Sequence, residues 1–327
     1  MTMALALLSG GLDSILAACV VKELGVEVRG VVFDSGFFSL EPPGQRANAA
    51  GELHPLLQRL EEPMQAAGIP MELVDVSEDF FQLLRRPAHG FGSHLNPCID
   101  CKILFLHQAR QLLEERGGDF LVTGEVLGQR PMSQNSQALH IIEKDANVKD
   151  LLLRPLSAKL LPPTRPEREG WIDRDKLYDF SGRTRKPQME LAGRLGLTNY
   201  AQPGGGCVLT DEGFERRLRD WLEHAGNSQP LTFVDVARLR LGRHFRMPEG
   251  KVIVGRNAKE NDYLERYCGD WVLIKVQERP GPVVLAESDS VRLKEFALGA
   301  AARYADAGWP PAGAVFCPER ARLRPCR

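Results

Sequence analysis

Long hydrophobic runs are absent from this sequence of 327 residues. A helix that crosses a bilayer needs about 18 or more consecutive apolar residues. The apolar start Met3–Leu8 is far shorter and has no basic leader. These absences argue against a membrane span and against a secretory signal. We therefore expect a cytoplasmic protein with no membrane partner.

Cysteine is also scarce, with 7 residues unevenly spread along the chain. An odd number of cysteines without an export signal argues against a disulfide scaffold. Clustered cysteines are then better used for metal binding or redox chemistry. Those without a neighbour are expected to be core or surface thiols, namely Cys19, Cys268, Cys317 and Cys326.

A large excess of charge of either sign is missing too, because the net charge is only -1. A nucleic-acid partner must therefore be sought in single segments. The stretch Arg238–Lys259 is basic and contains the single acid Glu249. Such a stretch either follows a nucleic-acid backbone or forms a solvated charged face. Composition alone leaves both alternatives open.

Short apolar runs alternate with helical patterns over the first part of the chain. The pattern predicts helices after the first strand and over Ile103–Glu115. Strands are predicted over Ala4–Leu8, Val28–Phe33, Met71–Val74, Phe120–Thr123 and Leu151–Leu153. This alternation predicts an α/β fold with a mostly parallel sheet and helices on both faces.

The character of the sequence changes near Pro203–Asp211, where the glycine run 204–206 precedes Cys207. A charged helix is predicted next, over Glu212–His224. The later elements are strands at Val252–Val254, Trp271–Val276 and Val283–Ala286 and a closing helix at Ser290–Tyr304. We therefore predict two domains, a catalytic domain over residues 1–205 and a smaller α+β domain over residues 206–327.

The segment Ser9–Ser14 joins the first predicted strand to the first helix, where α/β proteins present their ligands. Its two glycines let the backbone approach an anion, and the N–H groups of the helix start attract phosphate. Asp13 either holds Mg²⁺ or caps the helix. The candidate nucleotide-binding residues are Ser9, Gly10, Gly11, Asp13 and Ser14. An ordinary glycine-rich turn is the alternative.

The sequence of this segment, Ser-Gly-Gly-Leu-Asp-Ser, resembles residue for residue the pyrophosphatase loop (PP-loop) of the N-type ATP pyrophosphatases. It has neither the lysine of a Walker loop nor the three spaced glycines of a dinucleotide fingerprint. The resemblance implies a Rossmann-like, doubly wound sheet of the adenine nucleotide alpha hydrolase type. It also implies ATP and Mg²⁺ as cofactors, cleavage of ATP between its α and β phosphates, and transfer of AMP to an oxygen.

Cys98 and Cys101 stand at the start of a predicted helix. A helix N-terminus lowers the pKa of a thiol and favours the thiolate. One such pair cannot close a four-coordinate zinc site, although His94 or His107 offers a further donor. Cys207 is the third candidate thiol. Three cysteines leave one iron of a [4Fe-4S] cluster open for a small ligand.

The run Asn96–Cys101 resembles the cysteine motif of tRNA thiouridine synthetases, which include 2-thiouridylases and 4-thiouridine synthases. The resemblance implies tRNA as the substrate and Cys98, Cys101 and Cys207 as catalytic residues that also hold a [4Fe-4S] cluster. The alternative is a persulfide-forming pair of Cys101 and Cys207 without a cluster. Asp100 is a candidate general acid or base. The sulfur would come from a donor such as a cysteine desulfurase or from free sulfide.

The residues after the fourth predicted strand are similar to a Gly-Glu-x-x-Gly-Gln stretch of 4-thiouridine synthases, with Ser133 and Gln134 following. The resemblance implies that Gly124 and Gln129 lie near the nucleotide and the acceptor base, where an amide can read a base edge. A satisfied polar loop is the alternative. Phe33, which ends the second predicted strand, is a further candidate cofactor-binding residue.

The segments His244–Arg246 and Val254–Asp262 resemble a block of the NFACT RNA-binding domain of ribosome quality-control factors. An RNA-binding module agrees with the basic stretch, because phosphate contacts supply affinity that does not depend on sequence. No segment resembles the THUMP or rhodanese modules of typical 4-thiouridine synthases. The mode of tRNA docking, the target uridine and the oligomeric state therefore stay open.

Together these features predict a tRNA sulfurtransferase that forms AMP and pyrophosphate. A uridine oxygen attacks the α phosphorus of ATP, and sulfur then displaces AMP. Two alternatives remain. A related enzyme could transfer AMP or sulfur to a small molecule and would have no affinity for tRNA, or a non-enzymatic RNA-binding factor could merely sense the nucleotide.

Overall fold

The chain divides by its contacts into two compact units, Met1–Glu215 and Arg216–Arg327. The computed structural model describes residues 2–48, 50–197, 200, 207–226, 229–276, 280–305 and, for the backbone only, 321–324. The boundary between the units therefore lies inside the helix that follows Cys207, whereas the sequence placed it after residue 205.

The first unit is built on a parallel sheet. Its described strands are β1 Met3–Leu7, β2 Glu27–Asp34, β3 Met71–Asp75, β4 Phe120–Val122 and β5 Leu152–Leu153. They pair in the order β3-β2-β1-β4-β5, and all four pairings are parallel. The strand order reverses direction between β1 and β4, which is the hallmark of a doubly wound, Rossmann-like sheet. The predicted fold class is confirmed.

Helices cover both faces of this sheet. They are α1 Leu12–Glu23, α2 Pro55–Gln58, α3 Glu61–Ala66, α4 Ser77–Arg85, α5 Cys98–Glu115, α6 Ser136–Asp145, α7 Arg165–Arg168 and α8 Lys186–Arg194. The next helix, α9 Glu212–His224, contains the boundary between the two units. Alternate residues of β1 enter different cores, because Ala4 and Ala6 pack with α1 and α8 while Leu5 packs with α5 and α6. None of the helices in the described ranges is both long and apolar enough to cross a bilayer.

The second unit is a smaller α+β domain, as predicted. Its elements are α10 Phe233–Arg240, β6 Arg243–Met247, β7 Gly250–Val254, α11 Ala258–Arg266, β8 Val272–Val276, β9 Val284–Ala286, α12 Val291–Tyr304 and β10 Ala321–Arg324. The strands form an antiparallel sheet in the order β10-β8-β9-β7-β6. One face of this sheet packs on α12 through Leu293 and Ala297.

Two cations of the basic stretch of the second unit are paired with acids that are distant in sequence. Lys251 is buried and contacts Asp220, and Arg246 contacts both Asp220 and Glu287. These side chains therefore stabilise the domain and are not a continuous cationic face opposed only by Glu249. Arg243 and Lys259 are exposed.

One cysteine prediction is wrong. Cys268 is disulfide-bonded, whereas it was expected to be a core or surface thiol. Cys19, Cys98, Cys101 and Cys207 are free thiols. The three thiols proposed for chemistry, those of Cys98, Cys101 and Cys207, are among these free thiols.

Candidate functional site

The PP-loop, residues Ser9–Ser14, forms a tight turn between β1 and α1. Gly10 has φ of +76°, a left-handed conformation that glycine adopts without strain. Gly11 is the N-cap of α1. The hydroxyl of Ser14 donates to the carbonyl of Gly11 at 2.8 Å and accepts from the backbone N–H of Ser9 at 3.2 Å. The turn therefore holds the start of α1 in a fixed position, with the partial positive charge of the helix end available to an anion.

The carboxylate of Asp13 does not cap the helix. Its Oδ2 accepts hydrogen bonds from Gln129 Nε2 at 3.0 Å and from Arg185 Nη2 at 3.1 Å. Arg185 directly precedes α8 and was not identified from the sequence. The basic turn before α8 was the only sequence feature that pointed to this residue. The sequence of that turn does not show that it reaches the PP-loop. The structure thus joins two of the predicted site residues and adds a cation to them.

Each of these three side chains also keeps a buried polar atom without a hydrogen-bond partner among the described residues, namely Asp13 Oδ1, Gln129 Oε1 and Arg185 Nε. Buried polar atoms are usually paired, and an unpaired one costs about 1–3 kcal/mol. Carboxylate and amide oxygens suit Mg²⁺, and a guanidinium N–H suits phosphate. The donor set therefore fits a magnesium-bound phosphate group.

Replacing Arg185 by alanine is expected to weaken binding of magnesium-ATP by about tenfold or more, because a charge-assisted hydrogen bond contributes roughly 1.5–3 kcal/mol. Isothermal titration calorimetry measures the effect. Arg183→Ala is the matched control, since Arg183 is exposed in the same turn. Equal affinity in the two variants would contradict a role for Arg185 at the nucleotide.

Gly124 follows β4 and passes directly over the PP-loop. A Cβ atom at this position would lie 2.3 Å from the carbonyl carbon and oxygen of Asp13 and 2.4 Å from the backbone nitrogen of Ser14. The close approach that this glycine permits is therefore to the PP-loop backbone. Its predicted contact with the nucleotide stays a prediction.

Glu125, the next residue, leads from the PP-loop to the cysteine motif. Its carboxylate contacts Lys102, which follows Cys101, and Arg154 Nε at 2.7 Å. Arg154 also contacts Glu143. Burial alone would raise the pKa of Glu125, but attraction from Lys102 and Arg154 lowers that pKa to about 2. This buried ion network fixes the start of α5 against the end of β4.

We expect Glu125→Gln to lower the free energy of unfolding by about 3–5 kcal/mol, because it leaves buried cations uncompensated. Chemical denaturation measures the change. Glu114→Gln is the control, since Glu114 makes only an exposed pair with Arg110.

The depressed pKa also predicts a pH effect. The stability that ionised Glu125 contributes is present above its ordinary pKa of 4.5 and is lost as the pH falls toward about 2. The difference in stability between wild type and Glu125→Gln should shrink in that range. A constant difference down to pH 2 would contradict the ionised state.

The three candidate cysteines come together within the first unit. Cys98 is the first residue of α5, and the amide Nδ2 of Asn96 donates to its sulfur at 3.2 Å. Burial raises the pKa of the Cys101 thiol, and the nearby Cys207 and Cys98 raise it further. Cys207 is exposed as a residue, yet loss of solvation around its thiol raises the pKa of that group as well. The expected lowering of the thiol pKa is therefore wrong for Cys101, because burial and the neighbouring thiols raise that pKa.

No group of three or more His, Cys, Asp and Glu side chains in the described ranges is arranged to hold a metal ion. The glycine run 204–206, which was expected to deliver Cys207, lies outside those ranges. The three thiols are of the chemical type that a cluster or a persulfide pair uses, but they are not arranged as a metal site in those ranges, so both versions stay predictions.

Two other predicted site residues have their side chains engaged in the protein itself. Asp100 is buried, and its carboxylate accepts hydrogen bonds from the backbone N–H groups of Ala88 and His89 at 3.1 and 3.0 Å. This arrangement favours a positioning role over acid–base catalysis. Phe33 is 5% exposed and stacks on Phe105 with ring centroids 5.3 Å apart. The Phe33 side chain therefore packs in the hydrophobic core against α5.

Comparison with protein families yields two matches. Residues 2–159 match the family described as thiamine biosynthesis protein (ThiI), and residues 242–312 match the NFACT protein RNA binding domain. The two matches confirm the resemblances found in the PP-loop and in the second unit.

Curated relatives match over part of their length. The tRNA-specific 2-thiouridylase of Geobacter metallireducens is 28% identical over 256 residues, which is 72% of this chain and 62% of that protein. A probable tRNA sulfurtransferase of Thermococcus kodakarensis is 28% identical over 151 residues, or 46% of this chain and 36% of that protein. The chain thus spans less than two thirds of the length of either relative.

Among solved structures, a 4-thiouridine synthetase in complex with RNA and bound ATP is similar over 60% of this chain and 52% of that chain, with 22% identity and a TM-score of 0.35. The fold of the first unit is defined by its own strand order, β3-β2-β1-β4-β5.

Proposed function

We propose that this protein is an ATP-dependent tRNA sulfurtransferase. The premise is that residues 2–159 form a ThiI-family domain and that residues 242–312 form an NFACT RNA-binding domain. One observation carries the proposal. Gly124 packs on the backbone of the PP-loop, and the adjacent Glu125 pairs with the lysine next to Cys101. The candidate phosphate-binding turn and the candidate cysteines are therefore linked at the same edge of one sheet, which supports a two-step activation and thiolation.

In the first step the PP-loop holds the triphosphate of ATP through its N–H groups and the hydroxyls of Ser9 and Ser14. A uridine carbonyl oxygen attacks the α phosphorus, the bond to pyrophosphate breaks, and AMP is joined to the base. Asp13 orients Arg185 toward the departing pyrophosphate. Mg²⁺, when bound, would neutralise phosphate charge beside Asp13 and Gln129.

In the second step a sulfur atom from the cysteine site attacks the activated ring carbon, and AMP leaves with the former carbonyl oxygen. Cys98, Cys101 and Cys207 would hold a [4Fe-4S] cluster, which supplies an open iron for sulfide. In the alternative version Cys101 and Cys207 are a persulfide-forming pair. Free sulfide is the donor in the cluster version only. In the persulfide version a cysteine desulfurase supplies the outer sulfur, and release of thiouridine leaves a Cys101–Cys207 disulfide that an external thiol reduces. The second unit would bind the tRNA backbone.

The test is to incubate anaerobically purified protein with tRNA, magnesium-ATP and sulfide, and to analyse the nucleosides by mass spectrometry. We expect thiouridine, AMP and pyrophosphate in equal amounts, and no thiouridine when ATP is omitted. Pyrophosphate release without tRNA binding would favour a small-molecule acceptor. RNA binding without pyrophosphate release would favour the nucleotide-sensing factor, and either result would overturn the proposal.

A further inference from the structure

The turn that carries Cys207 is continuous with the start of α9. The backbone N–H and the hydroxyl of Thr210 both donate to the carbonyl of Cys207, at 2.8 and 2.7 Å. The backbone N–H of Phe214 donates to Asp211 Oδ1 at 2.7 Å. Any contact that holds the first turn of α9 therefore also holds Cys207.

Two side chains in that first turn contact the rest of the first unit. Phe214 is fully buried, and its ring meets the ring of Phe37 edge to face at 5.9 Å. Glu215 Oε2 lies 2.5 Å from His94 Nδ1, and the two side chains are 16% and 27% exposed. The hydrophobic contact supplies most of the burial, whereas the short polar contact has strict geometry and can set the position of the turn.

His94 belongs to the loop that reaches the sulfur of Cys98. The backbone N–H of His94 donates to Asn96 Oδ1 at 3.1 Å, and that of Gly92 donates to the Asn96 carbonyl at 3.0 Å. The amide of Asn96 in turn contacts Cys98 at 3.2 Å. A chain of direct contacts thus runs from Glu215 through His94 and Asn96 to Cys98.

We propose that His94 and Glu215 form a docking pair that positions Cys207 against Cys98 and Cys101. The purpose of the docking pair rests on the proposed function, because sulfur transfer requires the thiols to act together. Neither residue reaches the reacting atoms, so both are positioning residues. The consequence is that loss of either member lets the Cys207 turn move away while the PP-loop keeps its structure.

The test measures how often the Cys207 thiol meets the Cys101 thiol. The full-length protein carries Cys98→Ala to remove the competing thiol, and limiting diamide oxidises two thiols to a disulfide while it is itself reduced to a hydrazine. Peptide mass spectrometry follows the Cys101–Cys207 disulfide. We expect Glu215→Gln and His94→Gln each to slow its formation by about tenfold, because both reduce the effective concentration of one thiol at the other.

The double variant should form the disulfide no more slowly than either single variant, since each single variant already removes the His94–Glu215 contact. Glu212→Gln is the matched control, because Glu212 is exposed in the same helical turn, and it should react at the parent rate. Parent rates in both test variants, or a lower melting temperature with an unchanged rate, would overturn the docking pair. The assay contains neither tRNA nor ATP, so a failure of the proposed thiolation would leave this result intact.

Discussion

Replacing Cys207 by alanine is expected to abolish tRNA thiolation, with a fall of about a thousandfold or more in rate, while binding of magnesium-ATP stays unchanged. The reason is that both versions of the sulfur carrier require Cys207. No neighbouring group can take over the role of a missing nucleophile or ligand. Thiouridine yield by nucleoside mass spectrometry measures the first effect, and calorimetry the second.

Cys19→Ala is the control for the loss of a thiol. Cys19 lies in α1 and packs in the hydrophobic core with residues of β1 and α8, so it is not part of the candidate cysteine site. This variant should keep thiolation activity. Full activity of Cys207→Ala would refute the role of that residue.

A second variant separates the two sulfur carriers. Cys98→Ala should abolish iron binding and thiolation if Cys98, Cys101 and Cys207 hold a cluster. It should leave thiolation largely intact if Cys101 and Cys207 work as a persulfide pair. Iron and sulfide analysis of the same anaerobic samples shows which version applies.

Local patterns were sufficient for most of the first sheet and for several helices. The apolar runs predicted every strand of that sheet within a residue or so, because buried parallel strands are continuous apolar segments. The helix Glu212–His224 was predicted with the bounds that the structure has. The PP-loop was recognisable because its chemistry lies in six consecutive residues. Gly124 was found for the same reason, although its steric role was not.

Interactions between distant segments could not be predicted in the same way. Arg185 pairs with Asp13, which lies 172 residues earlier in the sequence, and no local pattern encodes that contact. The partners of Lys251 and Arg246 lie in α9 and next to β9 rather than in the basic stretch itself. The thiol pKa of Cys101 depends on burial, which a helix-start rule does not include. In each case the tertiary environment decides the role of the residue.

Gly124→Ala is expected to reduce magnesium-ATP affinity by about a hundredfold or more and to destabilise the first unit by roughly 1–3 kcal/mol, the usual cost of overpacking. The atoms that a methyl group would meet at 2.3–2.4 Å belong to the backbone of Asp13 and Ser14. Backbone atoms cannot turn aside as a flexible side chain can, so the PP-loop itself must shift. Calorimetry and thermal unfolding measure the two effects.

Gly193→Ala provides the matched control for this substitution. Gly193 lies within α8, and no atom would come within 4 Å of a Cβ there. Alanine in the interior of a helix should raise stability by about 0.5–1 kcal/mol and leave ATP binding unchanged. If Gly124→Ala behaved like Gly193→Ala, the end of β4 would not be packed on the PP-loop. The link between the nucleotide and the cysteines through Gly124 and Glu125 would then be lost as well, because it depends on that contact.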